Sequence, residues 1–222
     1  MNYLPGKNKI CAVIPFFNEE STLKNVVENT LSFVDFVIAV NDGSTDNSAA
    51  TVENFENVLL INHSANYGKG KALKSGFMKS IELESSVTVT IDADGQHKPE
   101  FIPDFLKQTE TCDIVIGNRL HNMKDMPLHR RASNVITSKL LSLKTGIKIL
   151  DSQSGFRAYR TKILNKLIPV NNGFEAESEI LIKAARNNLK IGYVNIPAIY
   201  GNDDSKMRAV QAITGFIKTM LS

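Results

Sequence analysis

The chain lacks tryptophan altogether and holds only two cysteines in 222 residues. Cys11 and Cys112 each sit inside an apolar run, which predicts buried thiols in a reducing compartment, and nothing in the sequence calls for a disulfide between them. No CxxC pair or Cys/His cluster offers a zinc site. Long hydrophobic runs are missing as well: no window approaches the roughly 18 uninterrupted apolar residues of a membrane span. The opening MNYLPGKNKI has no apolar segment of the kind a secretory signal needs, so the expected location is cytoplasmic. With 42% hydrophobic and 22% charged residues, disordered and fibrous classes are excluded too.

Net charge is small, +3, but its distribution is uneven. Acidic residues are nearly absent from 119–148, where Arg119, Lys124, Arg130, Arg131, Lys139, Lys144 and Lys148 accompany a single acid, Asp125. The rest of the chain is therefore net negative.

Five short apolar runs read as strands: Lys9–Ile14, Phe36–Val40, Val58–Ile61, Val87–Ile91 and Asp113–Ile116. Their continuous apolar character suits strands buried on both faces of a parallel sheet. Stretches with helical spacing separate them, at Glu19–Leu31, Thr45–Asn54, Lys71–Glu82 and Pro99–Gln108. This rhythm predicts stacked βαβ units: an α/β fold with a Rossmann-like, mainly parallel sheet flanked by helices. Ligands of such sheets bind beyond the carboxyl ends of the strands. The second half is less regular: a basic amphipathic stretch (Pro127–Lys144), then Asp151–Tyr159, a helix near Glu177–Asn187, a strand near Ile191–Ile196 and a last helix near Lys206–Leu221. No linker or repeat interrupts it, so a single domain over 1–222 is expected. Its halves would divide the work at about 8–118 and 119–222.

Polar turns follow the strands. Pro15-Phe16-Phe17-Asn18-Glu19-Glu20 and Asn41-Asp42-Gly43-Ser44-Thr45-Asp46 each lead into a helical stretch, with Asn18, Ser44 and Asp46 equally suited to plain helix capping. Gly68-Lys69-Gly70-Lys71 would let backbone approach a phosphate closely, with Lys69 adding charge, although it is not a Walker A loop. Asp92-Ala93-Asp94-Gly95-Gln96-His97 ends the fourth apolar run. Two carboxylates this close repel one another unless a cation lies between them, and hard oxygen ligands suit Mg²⁺ or Mn²⁺. His97 reads as a further ligand or a solvated loop histidine.

Taken together, VIPFFNEE (13–20), VNDGSTD (40–46), NYGKGKAL (66–73), IDADGQH (91–97), DIVIGNR (113–119), DSQSGFRAYR (151–160), FEAESEI (174–180) and IPAIYGNDDSK (196–206) resemble the family 2 glycosyltransferases of GT-A fold. The resemblance is to the group of dolichol-phosphate mannosyltransferases and polyprenyl-phosphate glycosyltransferases. It implies a nucleoside-diphosphate-sugar donor, GDP- or UDP-linked, with Pro15, Asn18, Glu19 and Asp42 lining the nucleoside pocket. Asp92, Asp94 and Gln96 would hold the metal, and Arg119 would meet the phosphate of the acceptor or of the donor. Ser154 and Gly155 would let backbone approach the sugar. Arg157 would neutralise phosphate or pair with an acid. Of Glu177 and Glu179, at most one faces the sugar and the other lies on the surface. Lys206 would close over the diphosphate.

Arg130 and Arg131 open a basic stretch with Val135, Ile136, Leu140, Leu141 and Leu143 roughly along one side. Such a helix is either a packed surface helix or one that lies on a membrane surface. The resemblance favours the second, since a polyprenyl phosphate is presented at a bilayer. Relatives of the group add membrane spans after the last helix, and none occurs before Ser222; the expectation is peripheral attachment to the cytoplasmic membrane face, alone or through a membrane-anchoring partner. A phosphate acceptor is already an anion and needs no catalytic base, so inverting transfer would rest on in-line positioning, with Asp94, Arg119 and one of Arg130 and Arg131 at the reacting groups. The competing reading is a glycan hydroxyl acceptor served by Glu177 or Glu179 as base. A silent nucleotide-binding protein would not need so complete a set of motifs. Nucleic acid is excluded as a partner because the basic stretch has no aromatic residue for stacking.

Overall fold

The computed structural model describes residues 9–122 and 126–199. Lys206 and the expected last helix fall outside them, as do Lys124 and Asp125. Seven strands form one sheet: β1 (Ile10–Phe16), β2 (Phe36–Asn41), β3 (Val58–Asn62), β4 (Val87–Thr90), β5 (Ile114–Asn118), β6 (Arg157–Arg160) and β7 (Ile191–Asn195). Their order is β3-β2-β1-β4-β6-β5-β7. Every pairing is parallel except those of β6, which runs antiparallel to β4 and β5. The helices are α1 (Leu23–Leu31), α2 (Lys69–Glu82), α3 (Ile102–Thr109), α4 (Leu128–Thr145) and α5 (Glu175–Arg186). The mainly parallel α/β sheet expected from the apolar runs is present.

Alternation along β1 shows why its run is apolar throughout. Ala12 and Ile14 pack with α1 and α3 on one face, and Cys11 and Val13 with β2 and Ala72 of α2 on the other. A third cluster, Leu73 and Phe77 of α2 with Ile180 and Leu181 of α5, covers β5 and β6. Both cysteines are free and buried, and burial pushes the Cys11 thiol up to about 11.

Two expectations fail. Thr45–Asn54 is not a helix; only a 3₁₀ turn, Ala49–Thr51, forms there. Side chains capture the backbone that a helix would need: Ser48 N–H donates to Asp46 Oδ1, Thr45 N–H to Asn18 Oδ1, and Asn47 N–H to Glu20 Oε2. The second correction concerns α4. Of the five apolar residues assigned to one side, Leu141 is buried, but Ile136, Leu140 and Leu143 are exposed. The inward face is polar: Asn134, Thr137 and Ser138 are buried against the turn after α4, where Asn134 Nδ2 donates to Asp151 Oδ1 and Ser152 N–H to Ser138 Oγ.

This topology gathers the polar turns. β1, β2, β4 and β5 end at one sheet edge, and β6, being antiparallel, begins there. The Asp151–Phe156 turn therefore meets the end of β4, where Thr90 Oγ1 donates to the Gly155 carbonyl at 2.8 Å.

Candidate active site

A cavity of about 530 Å³ opens at that edge. Pro15, Phe16, Phe17 and Glu19 form one wall, Asp42 and Gly68 another, and Gly173–Glu175 a third; Lys69, Asp92 and Asp94 contribute the charges.

Lys69, at the start of α2, brings the charges together. Its Nζ lies 2.6 Å from Asp92 Oδ1 and 2.7 Å from Glu177 Oε1. Burial works against the ammonium, but the two carboxylates outweigh it and hold the proton more firmly than water does. Asp92 is partly buried, and Lys69 and His97 overcome the desolvation penalty and keep its carboxyl far below the usual range. His97 is not a solvated loop residue: it is buried, with Nε2 3.4 Å from Asp92 Oδ2 and its ring tilted against Phe156. Gly155 presses on the other side of Asp92, where a Cβ would collide with the carboxylate.

Asp94 has no ion-pair partner among the described residues. Its Oδ1 accepts the Gln96 N–H at 3.0 Å. Burial, and next the charge of Asp92, push its carboxyl up. A carboxylate destabilised by its neighbour, among hard oxygen donors, fits a divalent cation. Among the described residues no group of three or more His, Cys, Asp or Glu side chains could hold a metal on its own. An ion here would thus complete its coordination with water and donor phosphates, the usual habit of Mg²⁺.

Other residues named from the sequence have more local tasks. Asn18 is exposed, at φ 56°, and its side-chain oxygen accepts from Thr45 N–H at 2.8 Å, tying the first turn to the second. Asp42 is buried at the cavity wall; its carboxylate accepts from Gly68 N–H at 2.7 Å and Tyr67 N–H at 3.2 Å and bonds His63 Nδ1 at 2.8 Å. Arg119 grips Asp151 through Nε at 2.9 Å and one terminal nitrogen at 3.0 Å. Burial penalises Asp151, and Arg119 with Asn134 more than offsets it, holding the carboxyl below its ordinary value. Arg157 is 1% exposed and donates to the carbonyls of Ser152, Ser154 and Glu177. It is therefore an internal brace, paired with an acid and closed to a phosphate. Ser154 is buried, its hydroxyl without a hydrogen-bond partner among the described residues. Arg131 is exposed on α4. None of Arg119, Arg131, Ser154 and Arg157 is part of the cavity wall.

Glu177 faces the charged cluster; Glu179 is buried rather than on the surface, accepting from Val170 N–H and Asn171 N–H. It pins a segment that the motif reading passed over. The Asn172 carbonyl takes the Gly70 N–H at 2.6 Å and the Lys71 N–H at 3.2 Å, so the close approach allowed by Gly68 and Gly70 is used by protein backbone in this structure, not left open for phosphate. The Asn171-Asn172-Gly173 triplet is a turn signal that could have drawn attention to this wall.

Residues 11–168 match the model of glycosyl transferase family 2. The UDP-N-acetylglucosamine–dolichyl-phosphate N-acetylglucosaminyltransferase of Methanococcus voltae is 34% identical over 232 residues, covering 93% of this chain and 92% of that protein. The dolichyl-phosphate beta-glucosyltransferase of Trichomonas vaginalis is 30% identical, covering 96% and 71%. Glucosyl-3-phosphoglycerate synthase from Mycobacterium tuberculosis, solved with Mn²⁺, UDP and glucosyl-3-phosphoglycerate, superposes with a TM-score of 0.75 at 20% identity, over 96% of this chain and 80% of that one. That likeness extends to the fold. The family match spans most of the chain, and the two relatives cover nearly all of it: the chain belongs to glycosyl transferase family 2 and is a glycosyltransferase.

Proposed function

We propose that this enzyme transfers a sugar, with inversion, from a nucleoside-diphosphate sugar to a polyprenyl phosphate. The observation that carries the reading is the convergence of Lys69, Asp92 and Asp94 on one cavity at the carboxyl edge of the sheet, with Glu177 paired to Lys69 behind it. UDP is favoured over GDP as the donor nucleotide by the names of the Methanococcus relative and of the mycobacterial complex. Asp92, Asp94 and Gln96 would hold Mg²⁺ or Mn²⁺, whose chemistry is to stabilise the departing nucleoside diphosphate. The phosphate acceptor is supported by the state of Glu177, the glutamate that pairs with Lys69. Its Oε1 is bound by Lys69, and its Oε2 lies 3.9 Å from Arg157, so it is poorly placed to take a proton from a sugar hydroxyl. A phosphate monoester brings its own negative oxygen and asks only for positioning. Arg119, fixed by Asp151 at the end of β5, and one of Arg130 and Arg131 on α4 would hold the acceptor phosphate.

Peripheral attachment to a membrane is part of the same proposal. No described helix is long and apolar enough to cross a membrane. α4 carries no acidic residue and turns Leu128, Ile136 and Leu143 outward at 80%, 56% and 81% exposure.

Thermal shift with UDP and GDP, each with and without Mn²⁺, tests the donor site. A nucleotide at about 100 times its Kd adds about 2.7 kcal/mol to the folded state, a rise of several degrees. UDP with Mn²⁺ is expected to give the largest rise, and no response to either nucleotide would remove the assignment. Asp94→Ala is expected to abolish sugar transfer to polyprenyl phosphate; undiminished metal-dependent turnover would contradict the role given to it.

A further inference from the structure

The cation on Asp92 in this structure is a side chain. Lys69 Nζ sits 2.6 Å from Asp92 Oδ1 and 2.7 Å from Glu177 Oε1, with the lysine side chain 17% exposed. A divalent ion held by Asp92, Asp94 and Gln96 would draw on the same Asp92 carboxylate. Two cations sharing one carboxylate in a poorly solvated site repel each other, so each gains less than it would alone. Lys69 cannot simply leave, because Glu177 anchors it from the other side, and unpairing a buried ammonium is costly. A nucleoside diphosphate removes the conflict. It brings several negative charges into the cavity that Lys69 and Asp92 both line, so the ammonium gains a second anion while the phosphate oxygens complete the metal's shell.

We propose that Lys69 is a positioning residue that makes divalent-cation binding conditional on the nucleoside diphosphate, by neutralising Asp92 until the diphosphate arrives. The inference rests on reading the cavity as a nucleoside-diphosphate site. Its consequence is thermodynamic coupling. The factor by which the nucleotide tightens the metal equals the factor by which the metal tightens the nucleotide. A metal that enters only with its nucleotide also keeps Asp94 and Asp92 from holding an idle ion in the empty enzyme.

The test is Mn²⁺ binding to the full chain, followed through the electron paramagnetic resonance signal of free Mn²⁺, without nucleotide and with UDP after correction for Mn²⁺ bound by free UDP. The unaltered protein is expected to bind Mn²⁺ weakly alone and about 10-fold or more tightly with UDP. Lys69→Gln is expected to bind Mn²⁺ alone about 10-fold tighter, with the coupling factor shrinking towards one. A lysine of purely structural importance would not behave so, since damage to a site loosens a metal and does not tighten it. Lys69→Gln/Glu177→Gln removes one charge of each sign and keeps the buried balance, so it serves if the single variant fails to fold, with the same gain expected. Unchanged or weaker Mn²⁺ binding in the nucleotide-free variants, while the unaltered protein still binds Mn²⁺ with UDP, overturns the proposal and leaves the cavity reading intact. Failure of the unaltered protein to bind Mn²⁺ even with UDP overturns both.

Discussion

Asp151 has 0% exposure, and five donors from three elements converge on its carboxylate: the Arg119 backbone and two guanidinium nitrogens, the Asn134 amide and the Gln153 N–H. A single acid thus joins the end of β5, the inward face of α4 and the turn before β6. Breaking a buried pair from one side costs about 3–5 kcal/mol, because the partner charge is stranded. Arg119 keeps some solvent contact, so Asp151→Asn is expected to cost about 3 kcal/mol at pH 7, read from urea unfolding. The pH dependence follows from the direction of the shift. Asp151 is held below its ordinary value near 4, so its stabilisation is complete above that pH and fades as pH falls toward the lower folded-state value. The gap between variant and parent should therefore narrow below about pH 4; a constant gap down to pH 2 would show that the carboxylate's charge is not what matters.

At the scale of elements, α2 and the segment before α5 are built to touch. Gly70 lies under Asn171 and Asn172, and an added Cβ would meet the Asn172 carbonyl carbon at 2.9 Å and press closer still on Ala176. Gly70→Ala would gain about 1 kcal/mol of helix propensity and lose more to overpacking, for an expected net loss of about 1–2 kcal/mol and weaker UDP binding as the Gly173–Glu175 wall is displaced. An unchanged melting temperature would refute the tight contact. The strands β1, β2 and β5 are legible in the sequence because burial on both faces keeps 10–14, 36–40 and 114–116 apolar, and β3 and β4 because short β-branched and aliphatic runs stand between helical stretches. The Asp92–Asp94 pair was legible because carboxylates directly after such a run must lie at the ligand edge. Thr45–Asn54 was misread because helical spacing cannot reveal that Ser48 and Asp46 bind backbone groups locally. The faces of α4 are out of reach for a related reason. The spacing puts Val135, Ile136, Leu140, Leu141 and Leu143 roughly along one side, but only the polar turn at Asp151–Ser154 shows that Asn134, Thr137 and Ser138 face inward with Leu141. Arg157 shows the same limit from the opposite side, since nothing in the turn's spelling shows that three carbonyls will close around it.

For the whole molecule, the outward apolar residues of α4 give the uneven charge distribution a physical meaning. At 3.6 residues per turn, Leu128, Ala132, Ile136 and Leu143 fall within about 80° of one another on the helix surface. All four are exposed, as are Lys139, which falls among them, and Arg131, about 60° to one side. An apolar strip edged by cations and free of acids matches an anionic bilayer surface, where the strip enters the boundary layer and each basic residue contributes about 1 kcal/mol. The same helix, through Asn134 and Asp151, fixes Arg119 at the sheet edge where the cavity opens, so contact with a bilayer would bear on the acceptor side. Co-sedimentation with vesicles tests this. Binding is expected to vesicles containing anionic lipid, to weaken in 0.5 M salt as surface charges are screened, and to be far weaker with neutral lipid alone. Leu128→Ser, Ile136→Ser and Leu143→Ser together should abolish it. Each change is on the surface and should alter folding stability by no more than about 0.5 kcal/mol, so the melting temperature and its response to UDP should persist. Arg131→Ala with Lys139→Ala should lower vesicle affinity by about 2 kcal/mol at low salt. If the triple serine variant pelleted with anionic vesicles as fully as its parent, α4 would not be the docking surface, and membrane attachment would have to come from another face or a partner.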